Sequence, residues 1–253
     1  MSVQSNWKVC LEIGINHLGS YSLLESMIKN TSMDELGVSV TSQIREEDFY
    51  IANKQFQLSL DEHQRFIMLC QELSIPCGLA LGPISDLQIL KHGGLEPDFI
   101  KILSTSSANT DFLDRIYNTY DCPKYLSVGL SDLAYVKESI IPLMDNKDKL
   151  IHTSLSHDSA DQNLGDIKLL SNLGVPVCYG LHALDHDLIY TSIGAGADSI
   201  FLYIGNKTLN LPDLEHAIDL DDIADVVAKI NICFTSMKKS ENTPKSVKID
   251  FIG

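Results

Sequence analysis

Short apolar runs rich in β-branched residues alternate along this chain with longer amphipathic stretches. The runs read as strands over Lys8–Ile13, Val38–Gln43, Pro76–Leu81, Phe99–Leu103, Lys124–Val128, Leu150–Ser154, Val177–Leu181 and Ser199–Tyr203. Between them the spacing predicts helices over Tyr21–Asn30, Asp61–Leu73, Ser85–His92, Asp111–Tyr120, Asp132–Met144, Asn163–Leu173 and His186–Ile193, with a long amphipathic helix over Asp219–Met237 at the end. Local signals support these boundaries. Ser59-x-x-Glu62 is a capping-box pattern, Ser20 or Ser22 and Asn109 or Thr110 stand where N-caps belong, and Gly174 closes its helix.

Strands that are apolar throughout, rather than alternating, are those of a parallel sheet covered by helices. Eight such strands alternating with eight helices in 253 residues predict a single α/β domain, a closed (β/α)8 barrel over residues 1–237, followed by a polar tail at 238–253. A doubly wound open sheet is the alternative, but no glycine-rich dinucleotide fingerprint follows the first strand.

Composition narrows the partners. The net charge of −15 argues against nucleic acid and anionic membranes, which require a basic face. No stretch is long and apolar enough to span a bilayer, and the N-terminus lacks the apolar core of a signal peptide, so a cytoplasmic location is expected. The six cysteines are scattered through apolar runs without metal-like spacing, which predicts reduced core residues.

In a (β/α)8 barrel the reactive groups gather at the C-terminal ends of the strands. Those ends carry Glu12, Asn16 and His17; Thr41, Gln43 and Arg45; Lys101, Ser104 and Ser106; Ser127; His152, Ser154 and His157; His182, Asp185 and His186; and Tyr203. Lys101 lies inside an apolar strand that runs into Ser104-Thr105-Ser106-Ser107 and then a helix N-terminus. An ammonium beside hydroxyls and a helix start can form an anion cradle; otherwise it is a strand-end lysine with a serine-rich loop behind it. His152 reads as an inward-facing, satisfied core histidine and His17 as a residue bonding neighbouring backbone.

Several segments carry a resemblance to the sialic acid synthase family: Glu12–Ser20 (EIGINHLGS), the helix LSLDEHQRFIMLCQELSIP, Phe99–Ser104 (FIKILS), Leu126–Gly129 (LSVG), Ile151–Ser154 with Asn163-Leu164, Gly196–Ile200 and Leu211-Pro212-Asp213. The resemblance spans residues 8 to 235 and implies a barrel that condenses phosphoenolpyruvate, or another small anion, with an amino sugar in surface-carbohydrate biosynthesis. It implies catalytic roles for Glu12 and Lys101. It implies substrate binding by Asn16, Gln43, Ser104, Ser127, Ser154, His157, His182 and Asp213. It also implies a divalent Mn or Mg ion, yet the positions of its ligands read His182-Ala183-Leu184, Phe201 and Tyr203, and the lysine expected on the second strand is Thr41. His182 and His186 are the remaining candidates for a metal. The small C-terminal domain that the resemblance implies is absent from the sequence, so a homodimer or partner protein completing the site is expected. Two alternatives stand beside a divergent synthase: a non-catalytic sugar- or phosphate-binding relative that regulates a true synthase, and a metal-free aldolase or lyase using Lys101 as a Schiff base.

Overall fold

The computed structural model describes residues 7–31, 33–44, 56–82 and 84–237. Arg45 and the polar tail at 238–253 lie outside the described residues. Eight strands, β1 (Val9–Gly14), β2 (Ser39–Gln43), β3 (Cys77–Leu81), β4 (Phe99–Ile102), β5 (Lys124–Ser127), β6 (Lys149–Thr153), β7 (Val177–Gly180) and β8 (Ile200–Gly205), pair in parallel in sequence order. The ring closes where β1 meets β8, with Val9 opposite Ile200 and Glu12 opposite Tyr203. This is a single (β/α)8 barrel. A ninth strand, β9 (Ile218–Asp219), adds to the C-terminal end of β8.

The helices follow the predicted pattern, with instructive departures. Helix α1 (Tyr21–Asn30) is capped by Ser20, α3 (Leu60–Glu72) by the Ser59–Glu62 capping box, and α5 (Thr110–Thr119) by Asn109. The short α2 (Met33–Leu36) is additional, and α4 (Ile84–His92) stands where a helix over Ser85–His92 is predicted. The stretch predicted as one helix over Asp132–Met144 begins as α6 (Leu133–Tyr135), widens into a π-turn over Val136–Ile140, and tightens at Ile141–Leu143. Pro142 has no N–H with which to continue an α ladder, and the Ile141 N–H reaches back five residues to the Val136 carbonyl. Helix α7 (Asp166–Ser171) starts later than predicted because Asn163 adopts a left-handed φ of 45°, which no helix interior tolerates. Helix α8 (Leu188–Gly194) and α9 (Ile223–Ser236) complete the outer layer. No helix among the described residues is long and apolar enough to cross a membrane.

Strand alternation sends successive side chains to opposite faces. Outward residues form the main core with the helices. Inward residues form a second cluster of Trp7, Cys10, Phe99, Tyr125, Ile151, Cys178 and Phe201. Trp7 sits at the N-terminal end of this cluster, with its ring 5.2 Å from Tyr125, 5.4 Å from Phe99 and 5.7 Å from Phe201. The floor leaves no room for a side chain at Gly78, whose Cβ would fall 2.2 Å from the Phe99 ring. All six cysteines are free thiols.

Three aspartates latch the N-terminal rim, each just ahead of an even-numbered strand. Asp98 accepts the Cys77 N–H at the start of β3 (2.9 Å), and Asp148 accepts the Lys124 N–H at the start of β5 (2.8 Å) and the Tyr117 hydroxyl (2.9 Å). Asp198 accepts from Lys149 (2.6 Å) and Lys8 (3.2 Å), tying β8 to β6 and to the residue before β1. Charge-assisted bonds of this kind hold register where the strands begin.

Two histidines are buried outside the barrel. His17, in the loop before α1, accepts the Gly19 N–H on Nδ1 (3.0 Å), and its Nε2 has no hydrogen-bond partner; His63 of α3 is buried with Nδ1 unpartnered. Burial pushes both rings down to about 4, and the Glu62 carboxylate offsets only part of that. The unfolded chain therefore takes up protons near pH 6.5 that the folded chain refuses until about pH 4. Each ring withdraws up to about 1.4 kcal/mol of stability per pH unit as the pH falls through that window, and none above it. Urea unfolding followed from about pH 7.5 to about pH 4.5 is expected to show a shallower loss of stability in His63→Leu than in the parent; equal slopes would contradict this assignment.

Candidate functional site

The C-terminal ends of parallel barrel strands all open on one side, and the inward face that carries the floor cluster continues there with polar groups. On β1 the inward series passes from Cys10 to Glu12, on β4 from Phe99 to Lys101, on β5 from Tyr125 to Ser127, and on β8 from Phe201 to Tyr203. Glu12 and Lys101, 3% and 4% exposed, form an ion pair across the barrel, the ammonium donating to Oε1 of the carboxylate. The Lys101 nitrogen lies 5.5 Å from the centre of the Phe201 ring and 5.8 Å from that of Tyr203. Thr41, the neighbour of Glu12 in register on β2, brings a hydroxyl and no charge. Gln43 and Ser127 end β2 and β5 and are buried; Ser104, just beyond β4, is buried as well.

The pair changes the meaning of the anion cradle. The Glu12 carboxylate already meets the Lys101 charge, so an anion arriving there would compete with it for the ammonium's three N–H donors.

Above the pair lies a group of rings. His182, in the loop after β7, stands 5.4 Å from Tyr203 and 5.0 Å from His216; His216 is 4.9 Å from Tyr203, edge-on, and 5.2 Å from His157. His157, at the exposed rim, pairs through Nδ1 with Glu215 at 3.3 Å. Burial pushes His182 down to about 3 and His216 down to about 4, with the Lys101 charge and the neighbouring histidines acting in the same direction. His186 is also lowered by burial. Gly14, at φ 55° beside an irregularity in the β1–β2 register, lets the Tyr203 ring lie close, since a Cβ there would sit 2.9 Å from Cε1.

The other expected residues are placed differently. Asn16 donates to the Ile204 carbonyl (2.8 Å) and accepts the Asp213 N–H (3.1 Å), so its amide fastens the loop after β1 to the end of β8 and to the segment beyond it. That contact brings Asp213 over the mouth, its Oδ2 3.4 Å from where a Gly14 Cβ would lie. Ser154 follows the end of β6, and His152 belongs to the outward series of that strand, not the inward one expected. Both line a separate cavity of about 200 Å³ between the β5 and β6 connections, together with Ser131, Asp161 and Asn163. His152 is engaged there with the Gln162 carbonyl at 2.9 Å.

His216 escaped the sequence reading. It lies well past the end of β8, and its only signal is a position three residues after Asp213.

A divalent ion needs converging nitrogen or oxygen donors. Among the described residues no three His, Cys, Asp or Glu side chains gather to hold one. The three imidazoles of the mouth pack ring against ring, tilted by 35° and 49°. The donors present do not fit the ion that the family resemblance implies.

Three comparisons bear on this geometry. The NeuB family model matches residues 21–242. The fold superimposes on an N-acetylneuraminic acid synthetase from Leptospira borgpetersenii at a TM-score of 0.81, with 20% identity over 96% of this chain and 89% of that one. A spore coat polysaccharide biosynthesis protein from Bacillus subtilis gives 0.76, with 18% identity over 95% and 71%. A phospho-2-dehydro-3-deoxyheptonate aldolase from Thermotoga maritima gives 0.73, with 14% identity over 91% and 69%. No curated protein matches the chain.

Removing one member of a buried ion pair strands the other, at a cost of about 3–5 kcal/mol, whereas removing both often costs little. Lys101→Met is therefore expected to lower unfolding stability by several kcal/mol, and Glu12→Gln combined with Lys101→Met to recover most of the loss. Chemical denaturation of the four proteins of this cycle provides the measurement; simple additivity of the two changes would mean that the pair does not form.

Proposed function

The chain belongs to the NeuB family, and on that premise we propose that its barrel mouth binds phosphoenolpyruvate beside the carbonyl of an amino sugar and joins them into a sugar acid. The observation that carries this reading is the Glu12–Lys101 pair, buried at the open end of the barrel with Ser104 and Ser127 at neighbouring strand ends. An ammonium and hydroxyls are the partners that a phosphate or carboxylate requires. The Leptospira synthetase was solved in complex with citrate, a small polyanion, which supports a small anion as the ligand class.

In this reading the incoming anion takes Lys101 from Glu12. C3 of phosphoenolpyruvate then bonds to the acceptor carbonyl carbon, whose oxygen takes up a proton; water adds at C2, its proton passing to the released carboxylate as to a positioned base, and the C2–O bond breaks with inorganic phosphate leaving. Gln43 and Asp213 border the acceptor. Neutral donors of the mouth polarise the acceptor carbonyl in this reading, since no three His, Cys, Asp or Glu side chains converge among the described residues. Losing one electrostatic stabiliser of a developing charge commonly costs about 10²–10³-fold in rate.

A second reading, a non-catalytic relative that binds the same ligands, draws on the absence of converging metal donors among the described residues and on Phe201 and Tyr203 standing on β8. The Schiff-base alternative needs the Lys101 nitrogen free to attack a carbonyl, and here it is engaged with the Glu12 carboxylate.

Two measurements separate these readings. Calorimetry is expected to show phosphoenolpyruvate binding that weakens by at least about 1 kcal/mol in Lys101→Ala; a parent protein that binds none would sink the proposal. Phosphate release is then followed with phosphoenolpyruvate, manganese and N-acetylmannosamine together. Slow release requiring both substrates is the expected result, and binding with no release at all would favour the non-catalytic relative.

A further inference from the structure

His216 is 4% exposed, and neither of its ring nitrogens has a hydrogen-bond partner. Leaving a buried polar group unsatisfied costs about 1–3 kcal/mol, and native folds rarely keep such a group without a use for it. The residue is held in place from two sides. The Asn16–Asp213 hydrogen bond fixes the segment that leads to it, and β9 begins two residues after it. Its ring stands edge-on to Tyr203 at 4.9 Å and beside His182 at 5.0 Å, over the mouth whose lower level is the Glu12–Lys101 pair.

We infer that His216, with His182 beside it, contacts the acceptor directly, its ring nitrogens giving and taking hydrogen bonds with an uncharged hydroxyl or carbonyl group. This rests on the reading of the mouth as a two-ligand site and assigns the upper level of that mouth to the uncharged ligand.

The charge of the cluster selects the ligand class. The groups around His216 are Tyr203, His182, His157 with its Glu215 partner, His186, and Lys101 below. Burial and the nearby Lys101 charge keep His182 and His216 unprotonated at neutral pH. A neutral imidazole offers one donor and one acceptor. It has no charge with which to draw a phosphate, but it matches the paired donor and acceptor of a sugar hydroxyl, and its N–H can donate to an amide carbonyl. The two levels of the mouth therefore divide the work: charge below for the anion, uncharged hydrogen bonding above for the acceptor.

The test uses the full chain and two probes, inorganic phosphate and N-acetylmannosamine, titrated by calorimetry into the parent, His216→Phe and His216→Asn. Phenylalanine fills the space without hydrogen bonds; asparagine restores a donor and an acceptor. Thermal unfolding of each variant first establishes that it folds. Phosphate affinity is expected to stay within about twofold in all three proteins. N-acetylmannosamine affinity is expected to fall at least about tenfold in His216→Phe and to return in part in His216→Asn, as loss and restoration of a ligand hydrogen bond predict. Ring-nitrogen NMR shifts of His216 that move with the sugar and not with phosphate would support the same assignment. Equal sugar affinity in the parent and His216→Phe would overturn it. So would a parent protein that binds phosphate and no sugar, an outcome that leaves the anion site at Lys101 intact. A parent that binds neither probe would overturn this inference and the proposed function together.

Discussion

An ammonium and a carboxylate withdrawn from water must find each other, and the interior of this barrel is arranged so that one such meeting takes place. Glu12 rises from β1 and Lys101 from β4, 89 residues apart in the chain, and their contact crosses the ring that the β1–β8 pairing closes. Phe201 lies beneath the lysine and Tyr203 beside it, so the pair is formed in surroundings of low polarity, where both its strength and the cost of breaking it are raised. Below it the interior is mainly apolar and aromatic down to Trp7, with the buried Ser39 beside Cys10 and Ser199 beside Cys178. Charge returns only at the opposite rim, where Asp198 meets Lys8 and Lys149.

The sequence discloses the barrel because parallel strands buried on both faces are continuous apolar runs, and their spacing by helices leaves little else to build. The same continuity conceals which way each side chain points. In β6 the run Ile151-His152-Thr153-Ser154 gives no alternation to read, and Ser154, expected beside Lys101, turns out to share the outward cavity with His152. The Glu12–Lys101 contact was equally unreadable, since nothing local to either residue names the other. His216 was hidden for a different reason: it reaches the mouth through the backbone path of the segment beyond β8, which Asn16 and β9 determine. The aspartate latches at 98, 148 and 198 lie at equal spacing in the chain, yet each reads locally as a turn residue.

The mouth keeps its closeness of packing while changing the character of its groups. Phe201 and Tyr203 fill the β8 side with rings, and His182 and His216 pack tilted and edge-on against Tyr203. A site built this way gains definition from ring contacts, each contributing about 0.5–1.5 kcal/mol beyond area burial when both partners are aromatic. Its base is formed by the buried Glu12–Lys101 ion pair.

Trp7 is the sole indole of the chain, and it is enclosed by Phe99, Tyr125 and Phe201 at the sealed end of the barrel, on the far side from the mouth. Its emission therefore reports the integrity of the floor and stays indifferent to what occupies the opening. Intrinsic fluorescence of this protein is a gauge of barrel closure, and the chemistry at Lys101 must be watched through signals of its own.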